Sequence, residues 1–180
     1  MKIVFEYSHL GGAEIPAHRY PHLLNEIYDV IQSVKPQKTK VSREKTKEGQ
    51  LLYSPSEINK QFKQLFEEKG VTEIREYFDI AIPGLPYVIR RSFKQIDFVK
   101  NDVFVEVQLG KYAFMFYDLA KFQYFFNENK LEVAVEIVPS HTLHKNMSSG
   151  VSYGEQLIFD IERLKRHFPA VPIQIILIDI

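Results

Sequence analysis

Residues Ile96 to Gln108, IDFVKNDVFVEVQ, constrain this chain more than any other stretch. Phe93, Gln95 and Asp97 alternate with Lys94, Ile96 and Phe98, the period of a strand whose successive side chains point to opposite faces. Lys100-Asn101-Asp102 supplies a turn, and Val103 to Leu109 is rich in the β-branched and aromatic residues that favour a second strand. The expectation is a β-hairpin in which Asp97 and Glu106 stand side by side, with Gln108 next along and Val105, Val107 and Leu109 on the opposite face. Ile-Asp-Phe and Val-Glu-Val place acids among core residues, where an unpaired charge is costly. Such acids call for a metal, a counter-ion or a shifted pKa. Two carboxylates on paired strands suit Mg²⁺, which takes oxygen ligands and keeps several of its waters. Taken alone, the spacing also fits an ordinary turn acid beside a buried glutamate.

The remainder of the chain supplies the layers such a hairpin needs. Lys2 to Tyr7 alternates as a short strand that Gly11-Gly12 breaks. Leu23, Leu24, Ile27, Tyr28 and Ile31 have helical spacing over about Pro21 to Ser33. Ser54-Pro55-Ser56-Glu57 opens a second helix in the pattern of a capping box, and Gly70 closes it. Val71 to Ser92 holds the loop Pro83-Gly84-Leu85-Pro86 and is open to reading as a flap. Phe114 to Asn127 is a helix apolar on most sides, buried either within one domain or partly against a second copy. Leu131 to Pro139 reads as a strand, a helix starts near Ser152, and Pro172 to Ile180 is an apolar run suited to a sheet interior. The order hairpin, helix, strand, helix, strand predicts an α/β fold with a central mixed sheet flanked by helices. At 180 residues, the expectation is one domain covering 1–180.

Composition narrows the function classes. Hydrophobic residues at 45% and charged residues at 26% are ordinary for a globular protein. No apolar run is long enough to span a membrane, and the N-terminus has no signal-peptide pattern. The absence of cysteine excludes disulfides and thiolate metal sites and suits a reducing cytoplasm. Formal net charge is zero, so any surface for nucleic acid must be local. Lys35, Lys38, Lys40, Arg43, Lys45 and Lys47, against Glu44 alone, form the densest basic stretch; it fits either a solvated loop or a phosphate-binding patch. His18 with His22, and His141 with His144, have spacings open to metal but fit capping and polar loop roles better.

Asp97-Phe98-x-Lys100-x-Asp102-x-x-Val105-Glu106-Val107-Gln108-x-x-x-Tyr112 resembles the active-site hairpin of the BglII and BstYI restriction endonucleases. These belong to the PD-(D/E)xK nuclease superfamily and carry Gln where most relatives carry Lys. The resemblance continues through Tyr7-Ser8-His9-Leu10, Glu44-Lys45-Thr46-Lys47, Leu52-Tyr53-Ser54-Pro55, Gly110-Lys111-Tyr112, Tyr117-Asp118-Leu119, Glu136-Ile137-x-Pro139 and Met147-Ser148-Ser149-Gly150-x-Ser152-Tyr153. The resemblance runs through most of the chain, and the segment from about Val71 to Ser92 has no match.

The resemblance implies a restriction-endonuclease-like core and a type II enzyme that cuts both DNA strands at a specific site. It implies Asp97, Glu106 and Gln108 as the catalytic set, with Mg²⁺ held by Asp97, Glu106 and the Val107 main-chain carbonyl. Lys111, Ser148 and Ser149 become the expected DNA-reading residues. Independently of the resemblance, Ser152-Tyr153-Gly154-Glu155 fits a capping box with Ser152 as the cap, which puts Ser148 and Ser149 at a helix N-terminus. A palindromic site with a GATC core, 5′ overhangs, a homodimer, a prokaryotic cytoplasmic setting and a partner DNA methyltransferase in the same system are further implications. Two other readings share the residues: a structure-directed repair or recombination nuclease, and a catalytically idle DNA-binding module of the same fold.

Overall fold

The computed structural model describes all residues, Met1–Ile180. Six strands form one mixed sheet: β1 (Lys2–His9), β4 (Thr72–Ala81), β5 (Val88–Lys100), β6 (Val103–Val107), β7 (Val133–Pro139) and β8 (Ile173–Asp179), in the order β1-β8-β7-β6-β5-β4. β6, β7 and β8 run parallel, while β1, β5 and β4 pair antiparallel to their neighbours. Every residue of β6 and β7 is buried. Strands covered on both faces need continuous apolar runs, which is what Val103–Val107 and Ile173–Asp179 supply. A separate ribbon, β2 (Lys38–Val41) with β3 (Leu51–Tyr53), lies outside the sheet.

Helices cover both faces. On one side α2 (Pro21–Ser33) and α3 (Pro55–Glu68) deliver Leu23, Ile27, Ile31, Ile58, Phe62 and Phe66 onto Phe98, Val103, Val105 and Val107. On the other, α4 (Tyr112–Asn127) and α6 (Gly154–Leu164) deliver Met115, Leu119, Phe122, Phe125, Leu157 and Ile161 onto Ile96, Phe104, Ala134 and Ile175. Each fully buried Phe or Leu contributes roughly 2 kcal/mol from area removed from water. Two short helices, α1 (Glu14–Arg19) and α5 (His141–Lys145), complete the set. No helix is long and apolar enough to cross a membrane.

Several local expectations change. Val71 to Ser92 is largely strand: β4 and β5 form a long hairpin, and only residues 82–87 connect them. The turn after β5 is tighter than the three-residue Lys100-Asn101-Asp102 reading. Lys100 pairs with Val103, and Asn101 and Asp102 take φ of 52° and 62°. Those two left-handed residues are what a two-residue hairpin demands, and Asn and Asp tolerate them. Neither expected capping box forms. Ser54 makes no cap bond and instead meets Ser56. The cap position of α6 falls on Tyr153, while Glu155 accepts from the His141 N–H. Gly154 is required by contact rather than tolerated: a Cβ there would lie 2.3 Å from Val138 Cγ2.

Candidate active site

β5 bends where the chemistry is expected. Its register to β4 shifts between the pairs Thr72↔Val99 and Ile74↔Ile96, so one extra residue is accommodated around Asp97. Such a bulge breaks the alternation of faces. Ile96 accordingly packs on the α4 side, and Phe98 packs on the α3 side. Asp97 is half-buried and lines a cavity of about 230 Å³ together with Asn59, Lys63, Glu73, Gln95 and Val107. Glu106, in the middle of an apolar strand, points the other way, toward α4, and is only 3% exposed. The two acids therefore do not share one face, as simple alternation predicts. They flank a gap instead: the ladder between β5 and β6 ends at Phe98↔Val105, one residue short of them.

Across that gap the charges still act on each other. Burial first, then the Asp118 and Asp97 carboxylates, push the Glu106 pKa up to about 9, against the pull of Lys121. Asp118 is likewise raised, chiefly by burial. Both are held by α4, where Asp118 and Lys121 sit three residues apart on the face turned to the sheet. Lys121 Nζ donates to Glu106 Oε1 at 2.5 Å and to the Gln95 carbonyl at 3.1 Å, and lies 2.8 Å from Asp118 Oδ1. Burial opposes the charge on Lys121, but the two carboxylates outweigh it and keep the ammonium protonated. Gln108 donates its side-chain N–H to Asp118 Oδ2 at 2.8 Å. Beside Glu106 in the parallel register stands Glu136, fully buried with neither carboxylate oxygen hydrogen-bonded. Burial, then the neighbouring carboxylates of Asp118 and Glu106, push its pKa well above the ordinary range.

The donors fit a hard divalent ion. Asp97, lining the cavity on the α3 side, and Glu106, on the α4 side, offer carboxylate oxygens at the two flanks of the gap, the class of donor Mg²⁺ accepts. No group of three or more His, Cys, Asp or Glu side chains is arranged to hold a metal ion. An ion held by two carboxylates would take its remaining ligands from water or phosphate oxygen. His18 and His22 are exposed on separate helices. The rings of His141 and His144 stack on each other and against Tyr153.

The expected DNA-reading residues lie on two loops. Lys111 is exposed at the cap position of α4, just past Gln108. Ser148 and Ser149 follow α5 and precede α6 by several residues, so they are not at a helix N-terminus as the sequence suggests. They are tied to the basic ribbon: Lys40 Nζ donates to Ser148 Oγ at 3.1 Å, and the Ser149 N–H donates to Glu44. Lys38 reaches Asn146 at 3.1 Å, and Lys47 donates to the Met147 carbonyl at 2.7 Å. The lysine run is thus a ribbon docked on the serine loop rather than a loose loop.

The sequence model of the family described as restriction endonuclease BglII/BglIII matches residues 4–178. The chain belongs to that family. It is a site-specific deoxyribonuclease of restriction type. A crystal structure of restriction endonuclease BglII complexed with a DNA 16-mer superposes with a TM-score of 0.76 at 25% identity, covering 99% of this chain and 78% of that one. Free BglII superposes at 0.71 with 23% identity, over 100% and 80% of the two chains, a likeness of fold. A search of curated proteins finds no match. Restriction endonucleases generally use a divalent metal ion, in keeping with the oxygen donors at the gap.

Sequence reasoning missed Asp118, Lys121 and Glu136 as members of the site. Their signal was present: charges three apart on an otherwise apolar helix, and a glutamate in the middle of a strand covered on both faces.

Proposed function

We propose that residues 1–180 form one catalytic unit that binds double-stranded DNA, pairs as a homodimer and cuts both strands of a palindrome with a GATC core, leaving 5′ overhangs. Asp97 and Glu106, with the Val107 carbonyl, would hold Mg²⁺; the observation that carries this reading is the pair of carboxylates flanking the end of the β5–β6 ladder, close enough for the charge of one to act on the other. The bound ion would supply Lewis-acid charge for a phosphate oxygen and acidify a water. The protein's own groups do the rest. Asp97 enters from the α3 side and Glu106 from the α4 side, so each carboxylate that would hold the ion is fixed by its own layer of packing. Gln108 is neutral and cannot add positive charge or accept a proton at neutral pH. Its amide N–H is engaged by Asp118, which fixes the side chain's rotamer and leaves the amide oxygen as its orienting group.

Specificity in this reading comes from donors and acceptors aimed at base edges in the major groove. Lys111 and the Ser148-Ser149 loop supply them, while Lys38 and Lys40 on the docked ribbon supply phosphate contacts that carry no sequence information. A palindrome read by a two-fold dimer places one active site on each strand. A DNA methyltransferase of the same specificity is the expected companion of such an enzyme, protecting the host's own sites, with no stable complex required. The cytoplasm of a prokaryote is the setting in which that pairing operates.

Digestion of plasmid DNA with Mg²⁺, followed by sequencing of the cut ends, tests the proposal. Discrete fragments ending in 5′ overhangs within GATC-centred palindromes are expected. Cuts scattered over sequence, or directed to branched DNA alone, would favour a repair nuclease. Asp97→Asn and Glu106→Gln should each abolish cutting while leaving the fold and DNA binding intact.

A further inference from the structure

We propose that Lys121, on helix α4, is a positioning residue of the cleavage centre: its ammonium fixes which oxygen of Glu106 faces the metal gap. The inference rests on the nuclease reading above and adds a residue to it. Glu106 has two carboxylate oxygens and a side chain free to rotate about its terminal bond, a broad torsion without deep wells. Lys121 takes Oε1 at 2.5 Å, and with that oxygen occupied Oε2 is the one left for the gap. The ammonium is itself held at three points, by Glu106 Oε1, by Asp118 Oδ1 at 2.8 Å and by the Gln95 carbonyl at 3.1 Å. All three of its donors are therefore used.

The tether has a second arm. Asp118 gives Oδ1 to Lys121 and Oδ2 to the Gln108 amide, so one carboxylate links the ammonium to the residue following Val107. Glu106, Lys121, Asp118 and Gln108 form a chain whose ends are the two catalytic side chains of β6 and its continuation. The Gln95 carbonyl adds β5 to the same knot, two residues from Asp97. Side-chain exposures of 12% for Lys121, 4% for Glu106 and 2% for Asp118 mean these bonds are little screened by water.

Lys121→Met and Lys121→Arg are compared with wild type for steady-state cleavage of DNA, thermal melting and the electron paramagnetic resonance spectrum of Mn²⁺ bound without DNA. Lys121→Met is expected to turn over roughly 30-fold more slowly or worse, with its KM for DNA changed less than about threefold. Its bound-Mn²⁺ spectrum should be altered, since the Glu106 ligand is no longer held. Lys121→Arg, which can donate to both carboxylates, should recover a substantial part of the lost turnover and the wild-type spectrum. A folded Lys121→Met that cuts like wild type, or whose Mn²⁺ spectrum is unchanged, overturns the proposal. If Lys121→Met does not fold, Lys121→Arg decides alone: a wild-type spectrum and turnover support the tether, and a folded Arg variant with both lost overturns it. A wild-type protein that neither cuts DNA nor binds Mn²⁺ would instead remove the nuclease reading itself.

Discussion

Gln108 donates its side-chain N–H to Asp118 at 2.8 Å and is thereby tied into a buried acid–ammonium network. Its partner Asp118 also faces Lys121, and both contacts are shielded from water. Removing Asp118 takes one carboxylate from Lys121 and leaves the Gln108 amide N–H without its acceptor, and a buried donor left unpaired costs roughly 1–3 kcal/mol, more when charged. Asp118→Ala should therefore lower stability by roughly 1–3 kcal/mol in urea unfolding, and Asp118→Asn by less, because the amide keeps the bond geometry. An Asp118→Ala protein as stable as wild type would show that the network contributes nothing to the fold.

The carboxylates around Lys121 predict a pH dependence for the metal-free protein. Burial foremost, with Asp118 and Asp97, raises Glu106 from its ordinary 4.5 to about 9 in the folded chain, and Asp118 and Glu136 move in the same direction. The folded state therefore holds more protons than the unfolded state between those values. Stability from these groups is fully present below about pH 4.5 and is lost as pH rises toward 9. In EDTA the melting temperature should fall from about pH 6 to about pH 9. Added Mg²⁺ should restore most of the loss at the upper end, because a bound cation takes the place of the protons. A melting temperature flat across this range would contradict the raised values.

Gly12 marks a place where backbone meets backbone. A Cβ on it would lie 2.0 Å from the carbonyl carbon of Ile173 and 2.6 Å from the Gln174 nitrogen. Neither atom can move without disturbing β8, a central strand. Gly12→Ala should therefore cost about 3 kcal/mol, at the upper end of overpacking penalties, seen as a lowered urea midpoint. Gly150→Ala, with open space around its Cβ position, is the control and should be nearly neutral.

Docking of the basic ribbon on the serine loop predicts a salt signature. Lys38→Ala and Lys40→Ala should weaken binding of specific and unrelated DNA alike. Each should lower the slope of log affinity against log salt by about 1, as expected for one lost phosphate contact. Lys111→Ala should instead reduce discrimination among sites while changing the slope less. Competition binding at several salt concentrations separates the two behaviours, and an unchanged slope in the ribbon variants would place those lysines away from the DNA.

What the sequence by itself determined is the layout: a hairpin turn around Lys100-Asn101-Asp102, one residue longer than the turn that forms, the helix over about Pro21 to Ser33 and the interior strand near the C-terminus. Each rests on local periodicity or turn chemistry, both of which are properties of neighbours along the chain. The β4–β5 hairpin was less legible, because Tyr77, Ile82, Tyr87, Val88 and Phe93 remain exposed and no one-sided apolar pattern marks it. Only the tertiary structure decided how the acids meet. A bulge at Asp97 turns it toward α3 while Glu106 turns toward α4, and the folding of α4 back over the sheet brings Lys121 against Glu106 beside Asp118 of its own helix. Alternation counts residues along one strand, whereas a bulge depends on the neighbouring strand's register, and a buried counter-ion depends on which helix the sheet packs against.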